Sequence, residues 1–193
     1  MLRRIYDWCV TTADKPYALW ILGAVAFAES SFFPVPPDIM LAPMSLAQPK
    51  RAWLYAAVCT AASVLGGILG YAIGALLYDS VGHWLINLYG LGDKVEAFRA
   101  SYAEWGAWII LVKGVTPIPF KLVTITSGFA GYNIWLFVLF SIITRGGRFF
   151  VAAILLNRYG EWIKVRIERH LGLSVTILIA VIVAGFIIAL RLI

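Results

Sequence analysis

Residues 32–38 read FFPVPPD and close an apolar run, residues 17–33, whose single charged residue is Glu29. Proline lacks the backbone N–H that a helix needs, and its ring clashes with the preceding turn, so the stretch predicts a helix break. A second break has the same form, since residues 116–121 read TPIPFK. Each break carries a charged residue at its end. The prolines of the two breaks are Pro34, Pro36, Pro37, Pro117 and Pro119.

The composition is that of a membrane protein. Of the 193 residues, 62% are hydrophobic and 13% are charged, and the mean hydropathy is +0.87. Soluble domains contain about 45–50% apolar and about 25% charged residues. The sequence therefore predicts an all-α, polytopic membrane helical bundle. The net charge is +6, and because the basic residues flank apolar segments, we expect anionic lipid headgroups as their partner and not nucleic acid.

Seven apolar segments follow from the sequence, and three of them qualify outright as spans of about 20 residues, while residues 17–33 are nearly long enough. The three long segments are residues 52–78, 133–156 and 172–190. The four short segments form two pairs, each joined by a proline break: 17–33 with 38–47, and 106–115 with 120–131. Paired half-length segments predict re-entrant hairpins, whose irregular backbone at membrane depth is buried in protein or lines a wet cavity.

This pattern divides the chain into three predicted parts. They are an N-terminal interfacial segment (1–16, with Tyr6 and Trp8 at headgroup depth), a membrane domain (17–160) and a C-terminal transmembrane helix (172–193). The predicted order within the domain is hairpin one (17–47), a span (52–78), hairpin two (106–131) and a span (133–156). Residues 79–105 between them predict an interfacial amphipathic helix with Val95, Phe98 and Tyr102 on one face, or equally a plain surface connector.

The basic residues favour a cytoplasmic N-terminus. With both hairpins re-entrant, residues 1–16, 48–51 and 157–171 share one side and hold nine Lys and Arg, whereas 79–105 and the C-terminus hold three. The positive-inside rule places the richer side in the cytoplasm. The chain is therefore predicted to be multi-pass, with its N-terminus inside.

The two breaks belong to an internal repeat. FPVPPDIMLAPMS at residues 33–45 aligns with TPIPFKLVTITSG at residues 116–128, which sets Asp38 opposite Lys121. Two such hairpins entering from opposite faces form an inverted repeat, and transporters commonly bind substrate where broken segments of this kind meet near the midplane. Each hairpin is followed by a long segment with a glycine pair. In the first of these segments we interpret the glycines as a helix-packing stripe, formed by Gly66, Gly67, Gly70 and Gly74.

Six charged residues remain within the apolar segments. They are Glu29, Asp38, Lys113, Lys121, Arg145 and Arg148. One charge inside a membrane costs at least ~2.5–3.5 kcal/mol, so these side chains must pair or face water. Because two acids cannot neutralise four bases, the surplus positive charge predicts a cavity that receives an anion, most economically a phosphate.

Two interpretations of these charges stay open. In the functional one, the two acids exchange protons while the four bases hold a headgroup, and Arg145 and Arg148, one turn apart, present guanidinium forks to phosphate oxygens. In the structural one, the arginines hold Glu29 and Asp38 in ion pairs, and Asp38 and Lys121 cap the half-helices. Both can hold in alternating states.

These motifs resemble the DedA family, also called VTT or SNARE-associated proteins. The resemblance rests on ESSFFPVPPD at residues 29–38, a GG…GY span, a proline-broken basic hairpin and RGGRF at residues 145–149, and it covers residues 20–160. KGVTPIPFKLVTITSG, residues 113–128, is most similar to the YqaA-like branch. The resemblance implies a bacterial inner-membrane protein with two inverted re-entrant hairpins and a role in membrane homeostasis that depends on the proton-motive force. Some relatives translocate undecaprenyl phosphate, and eukaryotic VTT relatives scramble phospholipids.

The chain departs from the family pattern at the second hairpin. The family's acidic motif maps onto Glu29 and, with different spacing, onto Asp38. Its second hairpin typically carries R-x-x-P-x-x-R, whereas here Lys113 and Lys121 flank Pro117 at four residues on either side. Lysine is a point charge without the guanidinium fork, so the headgroup of the relatives is not carried over to this chain.

The leading hypothesis is a transporter for proton-linked translocation or scrambling of a lipid phosphate, either a polyprenyl phosphate or a phospholipid. The alternatives are a proton-coupled small-solute or drug exporter and a non-transporting membrane assembly factor. An enzyme acting on lipid phosphates is disfavoured, because both histidines are isolated and no D-x-x-D spacing occurs. No catalytic residue, metal or cofactor is predicted. The sequence leaves open whether copies of the chain form a homo-oligomer.

Overall fold

The computed structural model describes residues 8–32, 36–90, 92–115 and 120–169, and every regular element in these ranges is helical. The predicted all-α class is therefore confirmed. The helices are α1 (residues 8–12), α2 (Ala18–Ser31), α3 (Asp38–Ala47), α4 (Ala52–Leu77), α5 (His83–Tyr89), α6 (Gly92–Val115), α7 (Phe120–Phe129) and α8 (Ile134–Arg169). A 3₁₀ turn, Pro49–Arg51, joins α3 to α4, and a π-helical turn, Tyr78–Gly82, follows α4.

Within the described part of the chain, two helices are long and apolar enough to cross a membrane. They are Pro49–Ser80, which contains α4, and Ile134–Gly160, which is the first part of α8. Both correspond to predicted spans, and both leave large apolar side chains such as Leu65, Leu76 and Ile143 exposed. By length and composition only, these helices hint at a membrane location.

Hairpin one starts and ends at the N-terminal end of α4. Helix α2 runs beside α4 in the same direction, because Gly23 of α2 approaches Val58 and an added Cβ at Gly66 would strike the Phe27 carbonyl. Helix α3 then returns, and Gln48 at its end donates a hydrogen bond to the carboxylate of Asp14 before α2. With 14 and 10 residues, α2 and α3 are both too short to span a bilayer.

Hairpin two starts and ends at the opposite end of the bundle. The Tyr102 hydroxyl on α6 and the Ser127 hydroxyl on α7 are 2.8 Å apart, and Arg99 Nε donates to the Ala130 carbonyl at 3.1 Å. Helix α7 lies on the C-terminal half of α4, where an added Cβ at Gly74 would strike the backbone of α7. The two hairpins therefore enter the bundle from opposite ends.

The two hairpins meet beside the middle of α4. Thr124 Oγ1 on α7 donates to the Ser30 carbonyl at the end of α2, with a distance of 3.2 Å. Gly70 of α4 lies against both residues, since an added Cβ there would strike the Thr124 hydroxyl and approach the Ser30 oxygen. The sequence left open whether the hairpins meet. This contact brings the end of α2 and the first half of α7 together beside the middle of α4.

The glycines of α4 form a packing stripe, as the sequence predicted. Gly66 contacts the backbone of α2, and Gly74 contacts the backbone of α7. Gly67 lies between them, where Phe120 and Phe137 are each within 3.5 Å of an added Cβ. Because glycine has no side chain, α4 can hold one half-helix of each hairpin at backbone distance.

Helix α6 differs from the sequence-based division of this region. The sequence placed an interfacial helix within residues 79–105 and a separate hairpin arm from residue 106, whereas α6 is continuous over Gly92–Val115. No proline interrupts it, and Gly106 is accommodated because the Tyr132 ring packs against it. Of the predicted apolar face, Tyr102 is buried and Phe98 packs on it with ring centroids 5.8 Å apart.

Several predicted features lie outside the described residues. They are the C-terminal helix 172–193, Tyr6, and the prolines Pro34, Pro117 and Pro119. The described prolines of the first break behave as predicted, because Pro37 immediately precedes the first residue of α3 and Pro36 lies before it. Pro43 lies inside α3, where it is buried among apolar side chains.

Candidate functional site

A buried ion pair occupies the centre of the bundle. Glu29 lies in the last turn of α2, and the guanidinium of Arg145 on α8 donates to its carboxylate. The same guanidinium donates to Ser63 Oγ on α4 at 3.1 Å, and Ser30 Oγ donates to Glu29 at 3.3 Å. Arg145 is only 1% exposed. The pair therefore joins hairpin one to both long helices without leaving a net charge.

Arg145 also contacts hairpin two through aromatic rings. Its guanidinium carbon lies 4.9 Å from the centroid of Phe120 and 4.9 Å from that of Phe149. Phe120 is the first residue of α7. A cation over an aromatic face is attracted by the ring quadrupole, more strongly where water is excluded. Arg145 thus contacts both hairpins at the level where they meet.

A second, more open ion pair lies one turn further along α8. Arg148 donates to the carboxylate of Asp38, and their side chains are 34% and 28% exposed. Asp38 is the first residue of α3, so its negative charge lies at the end of the helix where the macrodipole favours an anion. The two arginines therefore bind the two acids of hairpin one, which is the arrangement of the structural interpretation.

The lysines of hairpin two are placed differently. Lys121 is the second residue of α7, is partly buried, and has no carboxylate within salt-bridge distance among the residues that the structure describes. Lys113 lies on α6, and its side chain falls outside the described part of the chain. Of the six predicted charges, the structure brings four together as two ion pairs and places Lys121 next to Phe120, which Arg145 contacts.

Sequence reasoning missed most of the buried hydroxyls of the bundle, since it singled out only Ser30 and Ser31 beside Glu29. The hydroxyls that it missed include Ser45, Ser63, Thr124, Ser127, Ser141 and Thr144. Some bond to their own helix, as Ser127 does to the Val123 carbonyl at 2.7 Å. Within the described ranges, Ser141 Oγ and Arg145 Nε are buried without a hydrogen-bond partner. The spacing of Ser141, Arg145 and Arg148 along one face of α8 is the signal that would have revealed a polar face.

The described residues contain no group of three His, Cys, Asp or Glu side chains that could hold a metal ion. Chemically, the two carboxylate–guanidinium pairs can exchange partners. Two carboxylates and two guanidinium groups are in contact, and each carboxylate can be replaced on its arginine by another oxygen anion. Arginine suits such an exchange, because its donors match both carboxylate and phosphate oxygens.

The fold and these pairs define a class: an all-α protein with two opposed half-helix hairpins that meet over buried charges. Two bacterial proteins match nearly the whole chain. A Haemophilus influenzae protein described as uncharacterized is 33% identical over 177 residues, 90% of this chain and 92% of that protein. A Histophilus somni protein described as an uncharacterized HI0703 homolog is 34% identical over 181 residues, 92% of this chain and 94% of that protein.

The chain belongs to the same protein family as these two bacterial proteins. The similarity extends over both hairpins and both long helices, since it covers nine-tenths or more of each chain. No family model matches the chain, and no solved structure matches it.

Proposed function

We propose that this protein is a multi-pass protein of the bacterial inner membrane that moves a lipid phosphate across the bilayer, by proton-linked translocation or scrambling, as some members of the DedA family, which the sequence resembles, do. The observation that carries the proposal is the distribution of charge where the hairpins meet. Both acids are bound to arginines of α8, and Lys121 stands at the start of a half-helix without a carboxylate among the described residues.

The exposed side chains support a multi-pass location. Trp20 is 80% exposed at the start of α2, and Trp135 is 79% exposed at the start of α8, near the other end of the bundle. Exposed tryptophans at two levels are typical of the two interfaces of a membrane. Between these levels the exposed surface of α4 and α8 carries leucine and isoleucine, which suits lipid chains.

The start of α7 has the properties of an anion site. The N-terminal end of a helix carries the positive end of its dipole, and Lys121 adds a full charge in the first turn of α7. Broken helices of transporters present such N-terminal ends to anionic substrate groups near the midplane. The 26 residues of α4 extend for ~39 Å, and the hairpins meet beside its middle, so the site would lie near the centre of the bilayer.

In the proposed cycle, the substrate phosphate and the carboxylates alternate on the arginines. Protonation of Glu29 removes its charge and frees the donors of Arg145, which then bind phosphate oxygens together with Lys121. Loss of that proton restores the ion pair and displaces the phosphate. The more exposed pair, Asp38 with Arg148, is the first that a headgroup arriving from hairpin one's end would meet. The bound phosphate thus replaces the negative charge that Glu29 loses on protonation.

The proposal is tested by lipid-phosphate flux in reconstituted liposomes, with and without a pH gradient. We expect Lys121→Gln to lower the flux tenfold or more, because a hydrogen bond to a charged group contributes about 1.5–3 kcal/mol. Lys121→Arg retains the charge and should keep most of the flux. Lys94→Gln, which neutralises an exposed lysine on α6, is the matched control. Wild-type flux in Lys121→Gln would contradict the proposal.

A second test concerns Glu29. We expect Glu29→Gln to abolish the flux and its response to the pH gradient while the protein stays in the membrane, because the amide neither titrates nor releases Arg145 on protonation. Full activity in this variant would count against proton exchange at Glu29.

A non-transporting assembly factor is the second candidate, and the ion pairs themselves favour it, because they neutralise both acids of hairpin one. Exchanging the charges of the partly exposed Asp38–Arg148 pair distinguishes the two candidate functions. Asp38→Arg combined with Arg148→Asp preserves the attraction but moves the positive charge to hairpin one. An assembly factor should regain function in the double variant relative to either single change, whereas a phosphate transporter should remain impaired.

A further inference from the structure

Three segments come together at one end of the bundle, the end where hairpin one starts and finishes. Tyr55 Oη donates to the Ala13 carbonyl at 3.2 Å, which fixes residues 8–17 against the start of α4. Asn157 Nδ2 donates to the Pro49 carbonyl at 3.1 Å, which fixes α8 against the 3₁₀ turn. Residues 8–17, 46–55 and 153–160 therefore form one surface, here called the basic end.

The basic end carries a clear excess of positive charge. Its ionic side chains are Lys15, Lys50, Arg51 and Arg158 against Asp14, four bases and one acid, or +3. All four bases are exposed, and within the described ranges none has a carboxylate at salt-bridge distance. Asp14 accepts a hydrogen bond from Gln48 and is thereby held in the turn. The asparagine bond joins the part of α8 that carries Arg158 to the 3₁₀ turn that carries Lys50.

The other end of the bundle has the opposite charge. Residues 78–108 contain four acids and two bases, or −2. Of these bases, Arg99 already donates to the Ala130 carbonyl and lies 4.3 Å from the Tyr78 ring centroid. Because α4 separates the two ends by ~39 Å, and the Debye length at physiological salt is about 8 Å, the positive charge of one end does not interact appreciably with the negative charge of the other.

Exposed aromatic side chains surround the basic residues. Trp8 and Trp53 are 46% and 47% exposed, and Tyr17 and Tyr159 are exposed as well. The Trp53 ring packs against Phe150 of α8 with centroids 5.8 Å apart, so its orientation is fixed by the fold. Indole rings beside lysine and arginine, at the end of an apolar helix, are typical of a surface at headgroup depth. A site for a soluble acidic peptide would not need the apolar helix surface that continues from it.

We propose that the basic end binds anionic phospholipid headgroups of the leaflet in which it lies, through Lys50, Arg51 and Arg158, with Trp8 and Trp53 at the same depth. The inference rests on the membrane location given in the proposed function, and it is independent of translocation. A basic residue near an anionic leaflet contributes about fivefold to the affinity. The bound lipid joins α8 to the α3–α4 turn, so its binding stabilises the folded bundle.

The test measures the thermal unfolding midpoint of the purified full-length protein in detergent, titrated with phosphatidylglycerol, phosphatidylcholine or inorganic phosphate. A ligand that binds the folded state raises this midpoint according to its concentration and affinity. We expect phosphatidylglycerol to raise the midpoint, and the other two additives to have little effect. The triple variant Lys50→Gln, Arg51→Gln, Arg158→Gln should weaken the apparent affinity for phosphatidylglycerol by about fivefold per neutralised residue. Lys94→Gln at the opposite end should leave it unchanged.

Two results would overturn the inference: an equal response to both phospholipids in the wild type, or an undiminished response to phosphatidylglycerol in the triple variant. A response to inorganic phosphate equal to that to phosphatidylglycerol would show a site for free phosphate instead. Should the triple variant not fold, the wild type in 1 M salt replaces it, since a Debye length of about 3 Å removes the attraction. None of these readouts depends on flux, so failure here and failure of Lys121→Gln are distinguishable.

Discussion

Arg145 shows how a charge is retained inside an apolar bundle. Its guanidinium has a carboxylate, a serine hydroxyl and two aromatic rings as partners, while its Nε finds none among the described residues. Removing one partner of a buried ion pair leaves the other charge unpaired, which costs about 3–5 kcal/mol. An exposed pair contributes about 0–1 kcal/mol. The two arginines of α8 are therefore not equivalent, although the sequence presents them as a matched pair.

From this difference we expect Arg145→Met to lower the stability far more than Arg148→Met. The first change strands Glu29 in the core, whereas the second leaves Asp38 with access to water, since its side chain is 28% exposed. Thermal unfolding of both variants in the same detergent checks the order. Equal losses would mean that the Glu29–Arg145 pair is hydrated in the folded protein.

The two cysteines offer a second residue-scale prediction. Cys9 and Cys59 are free and fully buried, and burial raises the pKa of the Cys9 thiol. Since the thiolate is the reactive form, a raised pKa leaves less of it at neutral pH. We expect maleimide to label neither cysteine in the folded protein at pH 7, and both after denaturation. Rapid labelling of Cys9 in the folded state would show that α1 detaches from the bundle.

At the scale of helices, the sequence was most informative where the backbone itself is constrained. Prolines predicted the end of α2 and the start of α3, and glycines predicted the packing face of α4. The sequence was less informative about α6, because an amphipathic half and an apolar half carry different hydrophobic patterns although one helix continues through both. Most of the buried hydroxyls escaped notice because serine and threonine occur equally on solvated faces, and only the packing of the helices distinguishes them.

The glycine contacts give a prediction with a control in the same protein. Gly74→Ala or Gly128→Ala would push α4 and α7 apart, because an added Cβ at either position strikes the backbone of the other helix. We expect both to lower the unfolding midpoint. Gly147 lies within α8 with nothing within 4 Å of an added Cβ, so Gly147→Ala should instead raise the midpoint, alanine being better than glycine by about 1 kcal/mol in a helix. If Gly74→Ala, Gly128→Ala and Gly147→Ala changed the unfolding midpoint equally, the backbone contact between α4 and α7 would be contradicted.

At the scale of the whole molecule, the sequence predicted two opposed hairpins, and the arrangement of the helices agrees with it. The partners of the charges could not be predicted in the same way. Which arginine binds which acid depends on how α8 is shifted along α2 and α3, and no local pattern encodes that shift. The repeat itself suggests a misleading equivalence, since it aligns Asp38 with Lys121 whereas only Asp38 has an ionic partner among the described residues.

A labelling experiment tests the proposed orientation of the whole molecule. Because the native cysteines are buried, Lys50→Cys and Lys94→Cys place single reactive thiols at the two ends of the bundle. We expect an impermeant maleimide applied outside spheroplasts to label residue 94 and not residue 50. Inverted vesicles should give the reverse. Labelling of both positions from one side would contradict a membrane-crossing α4.

The two hairpins of the repeat are held in the bundle by different sets of contacts. Both hairpins pack on α4 at glycines, hairpin one at Gly66 and hairpin two at Gly74, but hairpin one is in addition held to α8 by Glu29 and Asp38. Dispersion attraction between backbones does not depend on pH or salt, whereas an ion pair is lost when its carboxylate is protonated. The repeat is thus chemically unequal: among the described residues only hairpin one adds ion pairs to its packing, so neutralising the arginines of α8 should loosen hairpin one more than hairpin two.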